Sequence, residues 1–238
     1  EGKELSEDKP IKYLEPLQGE IMVYPLSQHI GAPAKPLVAK GDHVLKGQII
    51  AEAGGFISAN VLSSVSGTVK GIESKLVANG AMVQSILVEN DGEEEAIEGF
   101  GTDRDATKLS KEEIRKIVKD AGIVGLGGAG FPTHVKLSPK EPDKIDHILV
   151  NGAECEPYIT SDYRRMMEEP ESIVGGLEVI LKAFPKAVGC ICIEDNKPDC
   201  IARMKEAIKG KERMEVKELK TKYPQGGERT LIYAVTGR

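Results

Sequence analysis

The stretch Gly122-Ile123-Val124-Gly125-Leu126-Gly127-Gly128-Ala129-Gly130-Phe131-Pro132-Thr133 constrains this chain more than any other. Its five glycines between positions 122 and 130 free the backbone to take positive φ and let another molecule approach with no Cβ in the way. Successive peptide N–H groups in such a loop form a concave nest, and an adjoining helix N-terminus adds partial positive charge. The expected guest is a phosphate or another anion. Gly125-x-Gly127-x-x-Gly130 satisfies the letter of the dinucleotide fingerprint, which counts only where it follows a strand and opens a helix. The preceding residues predict the reverse. Ser110-x-x-Glu113 is a capping box, Ile114, Ile117, Val118 and Ala121 keep to one helical face, and Gly122 is the natural stop. The loop therefore leaves a helix, and Pro132 and Pro139 discourage a long helix after it. No Lys-Ser or Lys-Thr pair follows a glycine where a P-loop needs one. An ordinary Rossmann turn requires a strand directly before Gly125. On glycine content alone, a flexible hinge between domains is the alternative.

Beyond the loop the pattern alternates strand and helix. Apolar runs over 145–150 and 187–193 and a weaker one over 214–219 predict strands. Pro170 opens a helix carrying Ile173, Val174, Leu177 and Ile180 on one face, and Pro198 opens another carrying Ile201, Met204 and Ile208. Such alternation predicts an α/β domain with a mostly parallel sheet and flanking helices. Ligands of such sheets sit beyond the carboxyl ends of the strands. The polar cluster over 151–156, Asn151-Gly152-Ala153-Glu154-Cys155-Glu156, follows a strand directly and stands at such an end. Tyr223-Pro224-Gln225-Gly226-Gly227-Glu228 is a second glycine turn, leading into an apolar helical pattern.

Between about positions 36 and 89 the chain reads as short strands with turn signals, Gly41-Asp42-x-Val44-x-x-Gly47 and Ser66-Gly67 among them. This part resembles the small all-β barrel-sandwich hybrid of lipoyl and biotinyl carriers. A carrier needs an acceptor lysine about eleven residues before Gly67, where this chain has Phe56 between Gly55 and Ile57. A scaffold or docking module is therefore expected rather than covalent cofactor attachment. Residues 1–20 are charged and polar, an extension or a covering strand. His29 has the chemistry of a ligand, although a lone histidine is more often structural. Asn90-Asp91-Gly92 and the acidic run after it read as a linker, giving domains over 1–92 and 93–238.

A net charge of −6 argues against a nucleic-acid partner, since affinity for a phosphate backbone comes from basic patches. No apolar run approaches the roughly 18 to 20 residues of a spanning helix. Cys155, Cys190, Cys192 and Cys200 lack the spacing of zinc or iron–sulfur ligands, and Cys190 and Cys192 alternate within an apolar run. They are expected to be buried structural thiols, with no metal site. The chain starts on Glu and stops after Gly237-Arg238 without a closing element, so it reads as a fragment truncated at its C-terminal end.

Taken in order, the glycine loop with its Phe-Pro-Thr, the Asn-x-x-Glu-x-Glu-Pro block and the later Gly-x-Glu turn resemble the flavin-binding subunit of NADH dehydrogenases. The closer resemblance is to the C subunit of the Rnf electron-transport complex. Pro25-Leu26-Ser27-Gln28-His29-Ile30-Gly31-Ala32-Pro33 and Thr160-Ser161-Asp162-Tyr163-Arg164 are as that family has them. The resemblance implies FMN and NAD(H) as cofactors, with two 4Fe-4S clusters outside this stretch. It implies that Gly125, Gly127, Gly128 and Gly130 hold the FMN phosphate through backbone N–H groups, with Lys136 as counter-charge. On the same resemblance Asn151 and Glu154 would hydrogen-bond the flavin, and Gly226, Gly227 and Glu228 would close over the ring. The resemblance further implies that Phe131 stacks on the nicotinamide nucleotide and that Glu156 stands beside it. Leu126 replaces an arginine of the NADH dehydrogenase pattern, and Gly227 a glutamate. No catalytic acid or base is implied, because the flavin carries the chemistry. The implied setting is peripheral, on the cytoplasmic side of a bacterial membrane, among other Rnf subunits, with ferredoxin reached indirectly. The alternative is a non-catalytic docking module of a membrane redox complex.

Overall fold

The computed structural model describes residues 2–238. They form two compact units, Leu14–Lys140 on one side and residues 2–13 with Glu141–Arg238 on the other.

The first unit holds β1 (Ile21–Pro25), β2 (Lys35–Pro36), β3 (His43–Val44), β4 (Ile49–Glu52), β5 (Val61–Leu62), β6 (Gly67–Leu76) and β7 (Met82–Asn90). Two antiparallel sheets result, ordered β1-β7-β6-β3 and β2-β4-β5. Alternation along the strands sends Tyr24, Val44, Ile50, Val69, Ile86 and Val88 into one core. The Gly-Asp-x-Val turn works as its chemistry predicts. Gly41 takes φ 97°, its N–H donates to Val69 O at 2.8 Å, and the Asp42 carboxylate accepts from Ala39 N–H at 2.8 Å. Between β4 and β5 the chain turns through Phe56, which is 80% exposed. His29 is buried. Its Nε2 lies 3.1 Å from Ala59 N–H and accepts from it, leaving Nδ1–H to donate to Ile30 O at 3.2 Å. This is a structural histidine.

The same unit ends with α1 (Lys111–Asp120) and α2 (Thr133–Lys136). The capping box forms at Ser110 and Glu113 in both directions. A helix, not a strand, thus precedes the glycine loop, which removes the Rossmann-turn reading.

The second unit is the α/β part: β8 (His147–Gly152), α3 (Ser161–Glu168), α4 (Pro170–Ala183), β9 (Val188–Glu194), α5 (Pro198–Ala207), β10 (Met214–Leu219) and α6 (Glu228–Thr236). Pro170 and Pro198 each stand in the first turn of their helix, where a missing N–H costs nothing. The sheet is parallel, as the alternation predicts, but has only three strands, ordered β10-β9-β8. Period-two alternation in β9 gives each face its own cover. Cys190 and Cys192 pack with Leu219 and Leu231, the last from α6. On the opposite face, a Cβ on Gly189 would come within 2.7 Å of Leu177 of α4. All four cysteines are buried and free. Burial pushes the thiols of Cys190, Cys192 and Cys200 up to about 12, so they stay protonated and inert.

Residues 2–13 form no covering strand. A short 3-10 turn at Lys3–Leu5 opens a segment that packs within the α/β unit: Ser6 Oγ meets Thr160 Oγ1 at 2.9 Å, and Ile11 N–H donates to Glu168 at 3.1 Å.

Candidate functional site

The glycine loop is a small stemmed turn. Gly122, at φ 63°, returns its N–H to Lys119 O and closes α1. Gly125 N–H donates to Phe131 O at 3.0 Å and Thr133 N–H to Ile123 O at 3.0 Å, so two short arms pair. The N–H of Gly125 is therefore spent inside the loop rather than offered to a ligand. Gly130 is needed for two reasons. Its φ is 65°, and a Cβ there would stand 2.8 Å from Gln28 O. Between the arms the tip is open. No heavy atom lies within 4 Å of where a Cβ on Gly127 or Gly128 would sit, and among the described residues no group accepts from their N–H groups. Leu126 beside them is 95% exposed. Lys136 Nζ lies 5.8 Å from the Phe131 ring centroid, within reach of a cation–π contact. The helix after the loop is the four-residue α2, too short for the dipole that the sequence suggested.

The polar cluster after β8 belongs to the other unit and is tightly cross-linked. Asn151 Oδ1 accepts from Ala153 N–H at 3.2 Å, and its Nδ2 donates to Gly226 O at 2.8 Å. Gly226 N–H in turn donates to Cys155 Sγ at 3.2 Å. A Cβ at Gly226 would meet Ala153 O at 2.3 Å, so only glycine lets the 223–227 turn lie this close. Gly227 is the N-cap of α6, and Glu228 is exposed in its first turn, where the helix dipole favours a carboxylate. Gln225 is 2% exposed, and its Oε1 has no hydrogen-bond partner among the described residues.

Glu154 is 3% exposed. Its Oε1 accepts from Asp162 N–H at 2.7 Å and its Oε2 from Tyr163 N–H at 3.3 Å. It caps α3 from eight residues upstream, where Thr160 supplies no side-chain cap. Lys197 Nζ lies 3.8 Å from the carboxylate, and Lys197 is 5% exposed. Burial raises the Glu154 pKa against the downward pull of the α3 N–H bond and of Lys197. Burial, then the neighbouring Lys3, lowers that of Lys197. Glu156 is exposed, with its carboxylate 3.7 Å from Cys155 Sγ. A cavity of about 440 Å³, lined by Lys3, Tyr163, Lys197, Asp199 and others, contains none of the binding residues expected from sequence.

The structure thus brings Asn151, Glu154, Gly226, Gly227 and Glu228 together at one sheet end. Gly125, Gly127, Gly128, Gly130, Phe131 and Lys136 lie in the first unit. Sequence reasoning missed Lys3, Lys197 and Gln225. No local signal marks them: Lys3 and Lys197 acquire their meaning from Glu154, distant in the chain, and Gln225 from its burial.

Residues 118–238 match the family model of the Nuo51 FMN-binding domain, and residues 1–93 match that of the RnfC barrel sandwich hybrid domain. The chain belongs to the RnfC family. Among curated relatives it is 44% identical, over all its 238 residues, to the C subunit of the proton-translocating ferredoxin:NAD(+) oxidoreductase complex of Clostridium ljungdahlii, covering 51% of that protein. It is 46% identical over 92% of its length to the C subunit of the Na(+)-translocating ferredoxin:NAD(+) oxidoreductase complex of Acetobacterium woodii, covering 49% of it. To the C subunit of the ion-translocating oxidoreductase complex of Pseudomonas aeruginosa it is 41% identical over its full length, covering 30%. The chain spans about half the length of the first two. Among the described residues no helix is long and apolar enough to cross a membrane, and no cluster of three or more His, Cys, Asp or Glu is placed to hold a metal.

Proposed function

We propose that this chain is the part of an Rnf-type C subunit that holds FMN and meets NAD(H), passing electrons between the nucleotide and iron–sulfur carriers outside residues 1–238. The carrying observation is the glycine-loop tip. Two adjacent N–H groups without acceptors, in open space and within the stretch that matches an FMN-binding domain, suit a phosphate. The partnerless Gln225 Oε1 suits a ligand that also donates.

FMN, when bound, supplies the exchange between a two-electron hydride donor and one-electron carriers, so the protein's work is placement and electrostatics. Gly127 and Gly128 donate to the phosphate, Gly125 and Gly130 hold the tip in shape, and Lys136 supplies the opposite charge. Asn151 keeps a second amide hydrogen for the flavin. Glu154 shapes the same polar end, and Gly226, Gly227 and Glu228 form the turn over the ring. Phe131 stacks on the nicotinamide nucleotide, and the exposed carboxylate of Glu156 stands beside it. In this reading residues 1–92 form the barrel-sandwich part with its extension and 93–238 the nucleotide-binding part. The protein sits peripherally on the cytoplasmic face of the membrane against other Rnf subunits, with ferredoxin served indirectly and no nucleic acid bound.

A second reading, a docking module without bound flavin, draws on the exposed Phe56 at the tip where carriers have their lysine. Titration with FMN, read by flavin fluorescence, separates the two. Saturable binding weakened by both Lys136→Ala and Gly128→Val is expected. Absence of binding by this chain and by the full-length protein would overturn the electron-transfer reading in favour of docking.

A further inference from the structure

The loop over 154–160 carries Glu156 and is fastened at both ends. At its start, the Glu154 carboxylate accepts from two backbone N–H groups of α3, while the Glu154 carbonyl accepts from both Lys3 Nζ and Lys197 Nζ. At its far end, Lys3 Nζ also donates to Ile159 O at 3.4 Å, and Thr160 meets Ser6. Between the fastenings residues 156–159 are exposed, and Tyr158 takes φ 66°, a conformation that a non-glycine residue holds only when its surroundings impose it.

Charge explains why Lys197 is needed there. A carboxylate as deeply buried as Glu154 is tolerated only when paired and hydrogen-bonded. With the ammonium gone it would take up a proton or draw in water, and either change weakens its charge-assisted bonds to α3. We propose that Lys197 is a positioning residue for nucleotide recognition: through Glu154 it holds the 154–160 loop, and with it the Glu156 carboxylate, in the form that a nicotinamide nucleotide meets. Lys3 assists from the amino-terminal segment. The inference rests on the reading of Glu156 as the residue beside the nicotinamide. It assigns Glu154 to the loop's support and leaves Glu156 as the carboxylate that faces the ligand.

The test uses the full-length protein loaded with FMN, with Lys197→Met, Lys197→Arg and the double change Glu154→Gln with Lys197→Met. Two readouts are taken: KM and kcat for NADH with an artificial electron acceptor, and hydrogen exchange at the amides of Asp162 and Tyr163. Lys197→Met is expected to raise the KM for NADH about tenfold, the scale of a slightly misplaced binding group, with kcat and FMN affinity unchanged and with faster exchange at both amides. Lys197→Arg, which keeps the charge, should recover most of the loss. The double variant removes the unpaired charge and should lie closer to the wild type than Lys197→Met. An unchanged KM in Lys197→Met, or KM, kcat and FMN affinity failing together in all three variants, would overturn the proposal. If the wild type binds FMN yet ignores NADH, the nucleotide reading fails and the proposal falls with it. If the wild type uses NADH but exchange is unaltered in Lys197→Met, the positioning proposal alone fails.

Discussion

At the tip of the glycine loop the N–H groups of Gly127 and Gly128 have no acceptor among the described residues and nothing packs above them. At the end of β8 the situation is inverted. Asn151, Glu154, Cys155 and Gly226 have exchanged hydrogen bonds with one another or with α3, and Gln225 Oε1 alone is left over among the described residues. One region keeps its donors free by having no side chains; the other is rigid because its polar atoms already have partners. Free donors exposed to water cost little, whereas buried polar atoms must be satisfied. The first design suits a charged group that arrives from solvent, and the second suits a flat, uncharged ring that needs a preformed surface.

The contrast can be broken or sharpened by substitution, and the largest effect belongs to the satisfied region. Glu154→Ala removes the cap of α3 and the carboxylate beside the buried Lys197 ammonium, and it should cost about 3–5 kcal/mol of stability in urea unfolding. Next comes Gly226→Ala, which pushes a methyl group against the Ala153 carbonyl. A loss of about 2–3 kcal/mol is expected, against no measurable loss if the turn lifts freely off the strand end. Asp195 offers a pH-dependent probe of the same turn. It holds Thr221 through N–H and Oγ1, and these bonds with Lys220 lower its pKa to about 2. The folded value lies below the ordinary one near 4, so its contribution is present above about pH 4 and lost as pH falls through about 2. Amide exchange at Thr221 should accelerate over that window in the wild type and show no such step in Asp195→Asn. The smallest effects belong to the open region and are graded within it. Gly130→Ala should cost about 1–2 kcal/mol for its left-handed backbone, while Gly128→Ala should stay within about 0.5 kcal/mol. Equal losses at the two positions would mean that the tip is as tightly held as its stem.

What was legible in the sequence was local. The capping box at Ser110 and Glu113, the prolines opening α4 and α5, and the bounds of β10 all follow from residues within a turn of each other. The strands β8 and β9 were also readable, although β8 runs two residues further than its apolar run because Asn151 and Gly152 continue the pairing with β9. The helix α3 has only Tyr163, Met166 and Met167 as apolar residues, too few to announce it, and its cap is Glu154, outside the usual N-cap position. The commitment of Gly125 N–H to Phe131 was likewise hidden, since the sequence marks a glycine-rich loop without saying which amides its own stem consumes. Burial of Lys197 was the least readable of all, for a lysine is ordinarily a surface residue and nothing beside it in the chain says otherwise.

The amino-terminal segment that packs on α3 has a consequence for biosynthesis. Lys3 and Glu154, which share a hydrogen bond, are separated by 151 positions. At about 5–20 residues per second on the ribosome, roughly 8 to 30 seconds pass between the emergence of the two. Lys3, Ser6 and Ile11 thus reach their places only after Glu154, Thr160 and Glu168 have been made. During that interval the segment around Lys3 lacks its partners in the α/β unit, and a chaperone has its best access to it then.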